Sequence, residues 1–143
     1  MAVTGAFYGY AFKTALNKEW DWDTDVIKTM LTTVTYVPDK NAHDYKNDVT
    51  NEVTGTGYTA GGATVDGKTT PPPSAGTWTI DCNDISWPAS TITARVAVMY
   101  DSTPATEATR PLIGYWDFGA DQSSSASDFT LVIDATGLAR ITF

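Results

Sequence analysis

Apolar and β-branched residues crowd together in VIKTMLTTVTYV, residues 26–37, and alternate with small polar ones through ISWPASTITARVAVMYD, residues 85–101. Neither segment keeps a helical period, so both predict strands. The first is expected to run as one long strand to Pro38, because the residue ahead of a proline is pushed to extended backbone. The second is expected to break near Pro88, which has no N–H to give to a ladder. TWTIDCN around Trp78 predicts another strand, and turns at Asn83-Asp84 and Pro88-Ala89 favour antiparallel neighbours. LIGYWDFG places Leu112, Ile113, Tyr115, Trp116 and Phe118 on a further strand, and ADQSSSASD after it predicts a loop that is flexible or held by a partner. Near the end of the chain, residues 129–133 and 138–143 flank Asp134-Ala-Thr-Gly137, the pattern of a hairpin turn.

Helical spacing is confined to the start. AFYGYAFKTALN, residues 6–17, sets Phe7, Tyr10, Ala11 and Leu16 near one face, interrupted by Gly9, so residues 1–17 predict a short helix or an N-terminal arm. The polar stretch PDKNAHDYKNDVTNE, residues 38–52, predicts a surface excursion with room for one helical turn around residues 43–49. Six or more short-spaced strands, without repeat or linker, predict a mainly β, single-domain fold over residues 1–143. The expected form is an antiparallel β-sandwich or barrel-like roll with one or two short helices.

Composition narrows the function classes. A chain of 143 residues can bury a core without disulfides or metals, and 12% aromatics with few leucines agree with a β fold. Seventeen acidic against nine basic residues leave a net charge of −8, which repels phosphate backbones and predicts no direct contact with nucleic acid. Cys82 is the single cysteine, so no internal disulfide or cysteine-based zinc site can form. The N-terminus lacks the basic start and apolar stretch of a signal peptide, and no run reaches membrane length. A protein made and kept soluble in the cell is expected.

One motif invites a different conclusion. Residues 62–69, GATVDGKT, match the phosphate-loop pattern G-x-x-x-x-G-K-[ST], with Lys68 and Thr69 in the nucleotide-binding positions and Asp101 after VAVMY as a candidate magnesium ligand. Such a loop needs a buried strand before it and a helix N-terminus after it. Here the upstream segment is glycine-rich, and Pro71, Pro72 and Pro73 follow almost at once, which forbids the helix. A glycine-rich turn leading into a proline-rich loop is expected instead.

Other candidate chemistry is sparse. Asp21, Asp23 and Asp25 are spaced like the opening of a calcium loop, but Val26 stands where glycine is required and Thr32 where glutamate is, so the carboxylates are read as caps at a strand entry. His43, beside Asp44, has no nucleophile motif to serve. No catalytic residue, metal or cofactor is assigned. Trp78, Trp87 and Trp116 lie inside strand patterns and are expected in the core. Trp20 and Trp22 alternate with acids and are expected on a contact surface, as platforms for sugars or for a protein partner.

WDTDVIKTML, NDVTNEVTGTGYTAGGAT, STITARVAVMYD, PLIGYWDFGADQSSS and DATGLARITF together resemble small virion accessory proteins of tailed double-stranded DNA phages, over nearly the whole chain. The resemblance implies a non-enzymatic virion component, made in the host cytoplasm. Its implied role is capsid decoration (cement), with the major capsid protein as partner and a homo-trimer as the binding form. A head fibre or tail component is the alternative within the particle, and a carbohydrate-binding module the alternative outside it. The expected contact residues are Val3, Phe7, Tyr8 and Tyr10 in an arm over residues 2–10, joined by Trp20 and Trp22.

Overall fold

The computed structural model describes residues 3–143. Two layers face each other. The larger is an antiparallel sheet in the order β1-β6-β5-β2-β3, built from β1 (Thr4–Phe7), β2 (Ile27–Thr32), β3 (Ala63–Thr64), β5 (Ile85–Asp101) and β6 (Leu112–Leu131). The smaller pairs β4 (Thr77–Ile80) with β7 (Ala139–Thr142). Among the described residues one helix, α1 (Gly9–Leu16), follows β1 directly, and two single 3-10 turns occupy Lys46–Asp48 and Glu107–Thr109. The fold is therefore mainly β and sandwich-like, not a closed barrel.

The expected strands exist, but their limits moved. β5 and β6 pair along their whole lengths, from Tyr100↔Leu112 to Ile85↔Leu131. Pro88 does not end β5. Trp87 pairs with Phe129 and Ser90 with Ser127, so Pro88 and Ala89 together oppose Asp128 in a bulge. The Asp128 carboxylate there accepts the Ala89 N–H at 3.0 Å. The serine-rich stretch is likewise strand, not loop: residues 120–128 belong to β6, and hydroxyl pairs such as Thr93 with Ser123 at 2.7 Å cross the ladder. β2 stops at Thr32, short of the expected Val37, because Thr33 N–H turns to the Asn51 carbonyl and Tyr36 N–H bonds back to Thr33. The turn at Asp134–Gly137 closes with a 2.9 Å bond, yet its flanks do not form a hairpin. The strand before it belongs to β6 and pairs with β5, whereas β7 pairs with β4 in the other layer.

Two apolar clusters hold this arrangement. One lies between the layers, where Ile27, Leu31, Trp87, Ile92, Met99, Ile113 and Phe129 from the large sheet meet Ile80, Cys82 and Ile133. The other lies on the opposite face of the sheet, where Met30, Val96, Val98, Tyr100 and Leu112 pack with Tyr8 and Tyr36. The centre of the sheet is thus covered on both sides, and residues 96–101 of β5 are all buried.

Candidate functional site

The N-terminal segment contains most of the sequence-derived contact residues. Ala2, at the start of the expected arm, lies outside the described residues. β1 pairs with β6 in the register Thr4↔Asp117 to Phe7↔Gly114, which makes it an edge strand of the large sheet instead of a free arm. Tyr8 follows with no exposed surface. Its N–H bonds the Ile113 carbonyl at 3.1 Å, and its hydroxyl meets that of Tyr36 at 2.8 Å. The Tyr36 hydroxyl in turn reaches His43 Nδ1 at 3.0 Å, and the two rings stack. His43, in the excursion of residues 38–52, is thus a half-buried member of a polar chain anchoring the segment. Burial, with Tyr36 adjoining, raises the Tyr8 phenol well above its ordinary value, so it serves as a neutral hydrogen-bonding anchor.

Gly9 opens α1 where the helix meets the excursion of residues 38–52. Its N–H donates to the Lys40 carbonyl at 2.8 Å, and a Cβ on Gly9 would stand 3.1 Å from that oxygen. The close approach accounts for the glycine that interrupts the helical pattern. α1 turns Ala11 and Thr14 inward. Trp20 Nε1 caps this contact by donating to the Ala11 carbonyl at 3.0 Å and to Thr14 Oγ1 at 3.1 Å. The expected apolar face through Leu16 is therefore rotated. Leu16 is 86% exposed and Phe12 50% exposed, one helical turn apart on the outer side. Phe7 supports the Phe12 ring at a centroid distance of 5.2 Å.

The six expected contact residues divide accordingly. Val3 is exposed, and Phe7, Tyr10 and Trp20 are half-buried. Tyr8 and Trp22 are core residues: Tyr8 is covered by Tyr36 and Tyr115, and Trp22 belongs to the cluster between the layers. Alternation with acids misread Trp22 because DWDTD folds into a turn that aims the indole inward while the Asp21 and Asp25 carboxylates bind backbone. Asp21 Oδ1 accepts the Asp23 and Thr24 N–H groups, and Asp25 Oδ2 accepts that of Asp21. Asp23 takes the Thr70 hydroxyl. These bonds account for the carboxylates as caps, and among the described residues no group of three or more potential ligands could hold a metal ion. Trp87 is buried as expected, and Trp78 and Trp116 are partly buried against the same cluster.

The phosphate-loop pattern has a structural explanation. Gly62 has φ +80°, and a Cβ there would come within 1.9 Å of the Thr29 carbonyl, so glycine lets this loop lie directly on β2. Ala63 and Thr64 then form the edge strand β3, and the Val65 N–H bonds Ile27. The Lys68 ammonium binds the Asp25 carbonyl and sits 6.0 Å from the Trp22 ring centre. Thr69 exchanges two backbone bonds with Asp81, and no helix follows. Asp101, the candidate magnesium ligand, is 1% exposed at the end of β5 and caps the Thr103 N–H at 2.8 Å. Burial raises its carboxyl above the ordinary range. Burial also pushes the Cys82 thiol up to about 12, which leaves it a packing residue with little thiolate near neutral pH.

Sequence reasoning missed Phe12 and Leu16 as a surface. Their i, i+4 spacing was visible, but which helical face turns outward depends on Ala11 and Thr14 fitting beneath Trp20. Among the described residues no helix is long and apolar enough to cross a membrane. Compared with family models, curated proteins and solved structures, the chain has no match.

Proposed function

We propose that this chain is a non-enzymatic structural protein of a phage virion, a decoration protein that attaches to the outer surface of the assembled shell as a trimer. The outward face of α1 supports a contact function most directly. Phe12 and Leu16 stand exposed, on a helix pinned from below by Trp20 and at its start by Tyr8 and Gly9. An apolar pair on a pre-ordered element loses little conformational freedom on binding, so its burial goes largely into association. Many copies on a repetitive lattice multiply a modest contact into stable attachment. The sequence resemblance over WDTDVIKTML to DATGLARITF supplies the virion setting, with the major capsid protein as the surface engaged.

A density map of the intact particle tests this, together with occupancy of preassembled shells by wild type and by a Phe12→Ser, Leu16→Ser double variant. The expected result is density at regular sites on the shell, with the double variant folded and its occupancy at least about tenfold lower. Density only along the tail or a fibre would replace the decoration role with the alternative. Unchanged occupancy would remove α1 from the contact.

A further inference from the structure

β6 is not straight. Phe118 and Phe129 would lie about 36 Å apart along a flat strand, yet their rings stand 6.0 Å from each other. The strand therefore turns a corner, beginning at the bulge of residues 118–121 and continuing through the register shifts beyond it. β1 covers the outer edge of β6 only before that corner, from Gly114 to Asp117. From Phe118 to Leu131 no strand pairs with the outer edge among the described residues.

The end of β6 shows which way its backbone groups point. Ile133 N–H bonds Asp84 Oδ1 at 2.8 Å, on the β5 side, and alternation turns the N–H and C=O of Leu131 and Phe129 the same way. Those of Thr130, and of Asp128 and Val132 on either side of it, point away from β5 and have no hydrogen-bond partner among the described residues. The contact between the Ser86 and Thr130 hydroxyls agrees, because side chains approach most closely where an antiparallel pair exchanges no backbone bonds. Residues 128–132, DFTLV, contain neither the lysine nor the proline that commonly blunts an open edge.

A hollow of about 530 Å³ runs along this edge. Thr130 and Val132 from one face of the strand bound it together with Phe129 and Leu131 from the other, while Phe118 closes it across the corner and Val3 lies beside β1. Val132 is 71% exposed. Asp128 is the one charged residue around the hollow, and its Oδ1 also holds the Ala89 N–H. A row of unpaired backbone groups beside an apolar hollow is the arrangement that binds an added strand: the ladder supplies affinity and the hollow takes alternate side chains.

We propose that the edge of β6 from Asp128 to Val132 takes up an extended segment of a partner protein as an added strand, apolar at alternate positions and carrying a lysine or arginine between them. Its backbone pairs with Thr130, its apolar side chains enter the hollow beside Phe118 and Phe129, and its base meets Asp128. A second copy would bring the same carboxylate and a further net charge of −8 to this edge, so charge selects a basic partner. The proposal rests on neither the α1 contact nor the virion setting, since the edge is open in the isolated protein.

The test is titration of the full chain with the capped peptide KVTVKV, its acidic counterpart EVTVEV and the proline-broken KVTPKV, followed by backbone amide NMR and calorimetry. KVTVKV is expected to bind saturably, to shift Asp128, Thr130 and Val132, and to slow amide exchange at Thr130. KVTPKV and EVTVEV should each bind at least about fivefold more weakly. Thr130→Pro removes only an outward N–H and should weaken KVTVKV by about tenfold or more. Asp128→Asn keeps an oxygen for the Ala89 N–H and should weaken it by about threefold, which tests the edge independently of any proline effect on folding. Absence of saturable binding, shifts confined to other surfaces, or equal binding of KVTVKV and KVTPKV would each overturn the site. So would self-association in sedimentation that Thr130→Pro abolishes, which would give the edge to a second copy.

Discussion

One continuous strand, β5, behaves as two. Its residues 96–101 are buried without exception, covered by the inter-layer core on one face and by the Tyr8–Tyr36 cluster on the other. Residues 85–94 alternate: Ile85, Trp87, Ile92 and Ala94 face the core, whereas Ser86, Pro88, Thr91 and Thr93 face water. The hydrogen-bonded ladder to β6 spans both halves, so backbone pairing does not separate them. The number of layers resting on the strand does. Unbroken apolar sequence reports two covering layers, and alternation reports one.

The contrast is broken most severely by Leu31→Ala on β2, beside the doubly covered half. Leu31 has no exposed surface, and its truncation is expected to cost about 2–5 kcal/mol, whereas Thr93→Ala on the alternating half should stay within about 0.5 kcal/mol. Urea unfolding of the two variants measures the difference. Equal losses would show that coverage does not set the energetics of the strand.

A smaller effect comes from charge in the covered half. Asp101 satisfies one carboxylate oxygen through Thr103, while Oδ2 finds no donor among the described residues. Its raised carboxyl means that the fold favours the protonated form. The corresponding stability is complete below the ordinary value of about 3.9 and is lost as pH rises through the raised value. Asp101→Asn should therefore stabilise the protein by about 1 kcal/mol at pH 7, with the gain vanishing near pH 3. A pH series of unfolding curves checks the sign, and a destabilised variant at pH 7 would refute it.

The smallest expected effect sits at the junction of the halves. Val96 pairs with Asp117 and Ala94 with Gln122, so residues 118–121 of β6 bulge opposite Arg95. Asp117 Oδ1 pins the bulge by accepting from Arg95 Nε at 2.7 Å and from the Gly119 N–H at 2.8 Å. The bond from Arg95 lowers the Asp117 carboxyl, so its contribution is present above about 3.9 and is lost as pH falls through the folded value. Both side chains are partly exposed, so Asp117→Asn should cost only about 0.5 kcal/mol at pH 7 and nothing near pH 2. Asp101 and Asp117 should thus give opposite pH slopes, and a shared slope would remove the distinction between interior and junction.

Legibility followed the range of the interactions. β5 could be read because its alternation and its β-branched content are local. The turn at Asp134–Gly137 could also be read, but the partners of its flanks could not, since a turn specifies its own closure and not which layer each strand joins. The serine run failed for a related reason. Serine has little intrinsic strand preference, and residues 120–128 are extended because β5 supplies pairing partners from far along the chain. Phe12 and Leu16 were visible as apolar residues at helical spacing, but nothing local says whether such a pair faces a core or water.

The sequence by itself determined a mainly β single chain with antiparallel strands, a helical start, and a glycine–lysine motif whose following prolines deny it a helix. Each of these rests on backbone geometry or side-chain volume within a few residues. Only the tertiary structure decided that Tyr8 and Trp22 are core, that Leu16 is surface, and that the final strands go to different layers. Those outcomes depend on which distant segments cover which face, and burial free energy responds to that coverage, whatever the local pattern that preceded it.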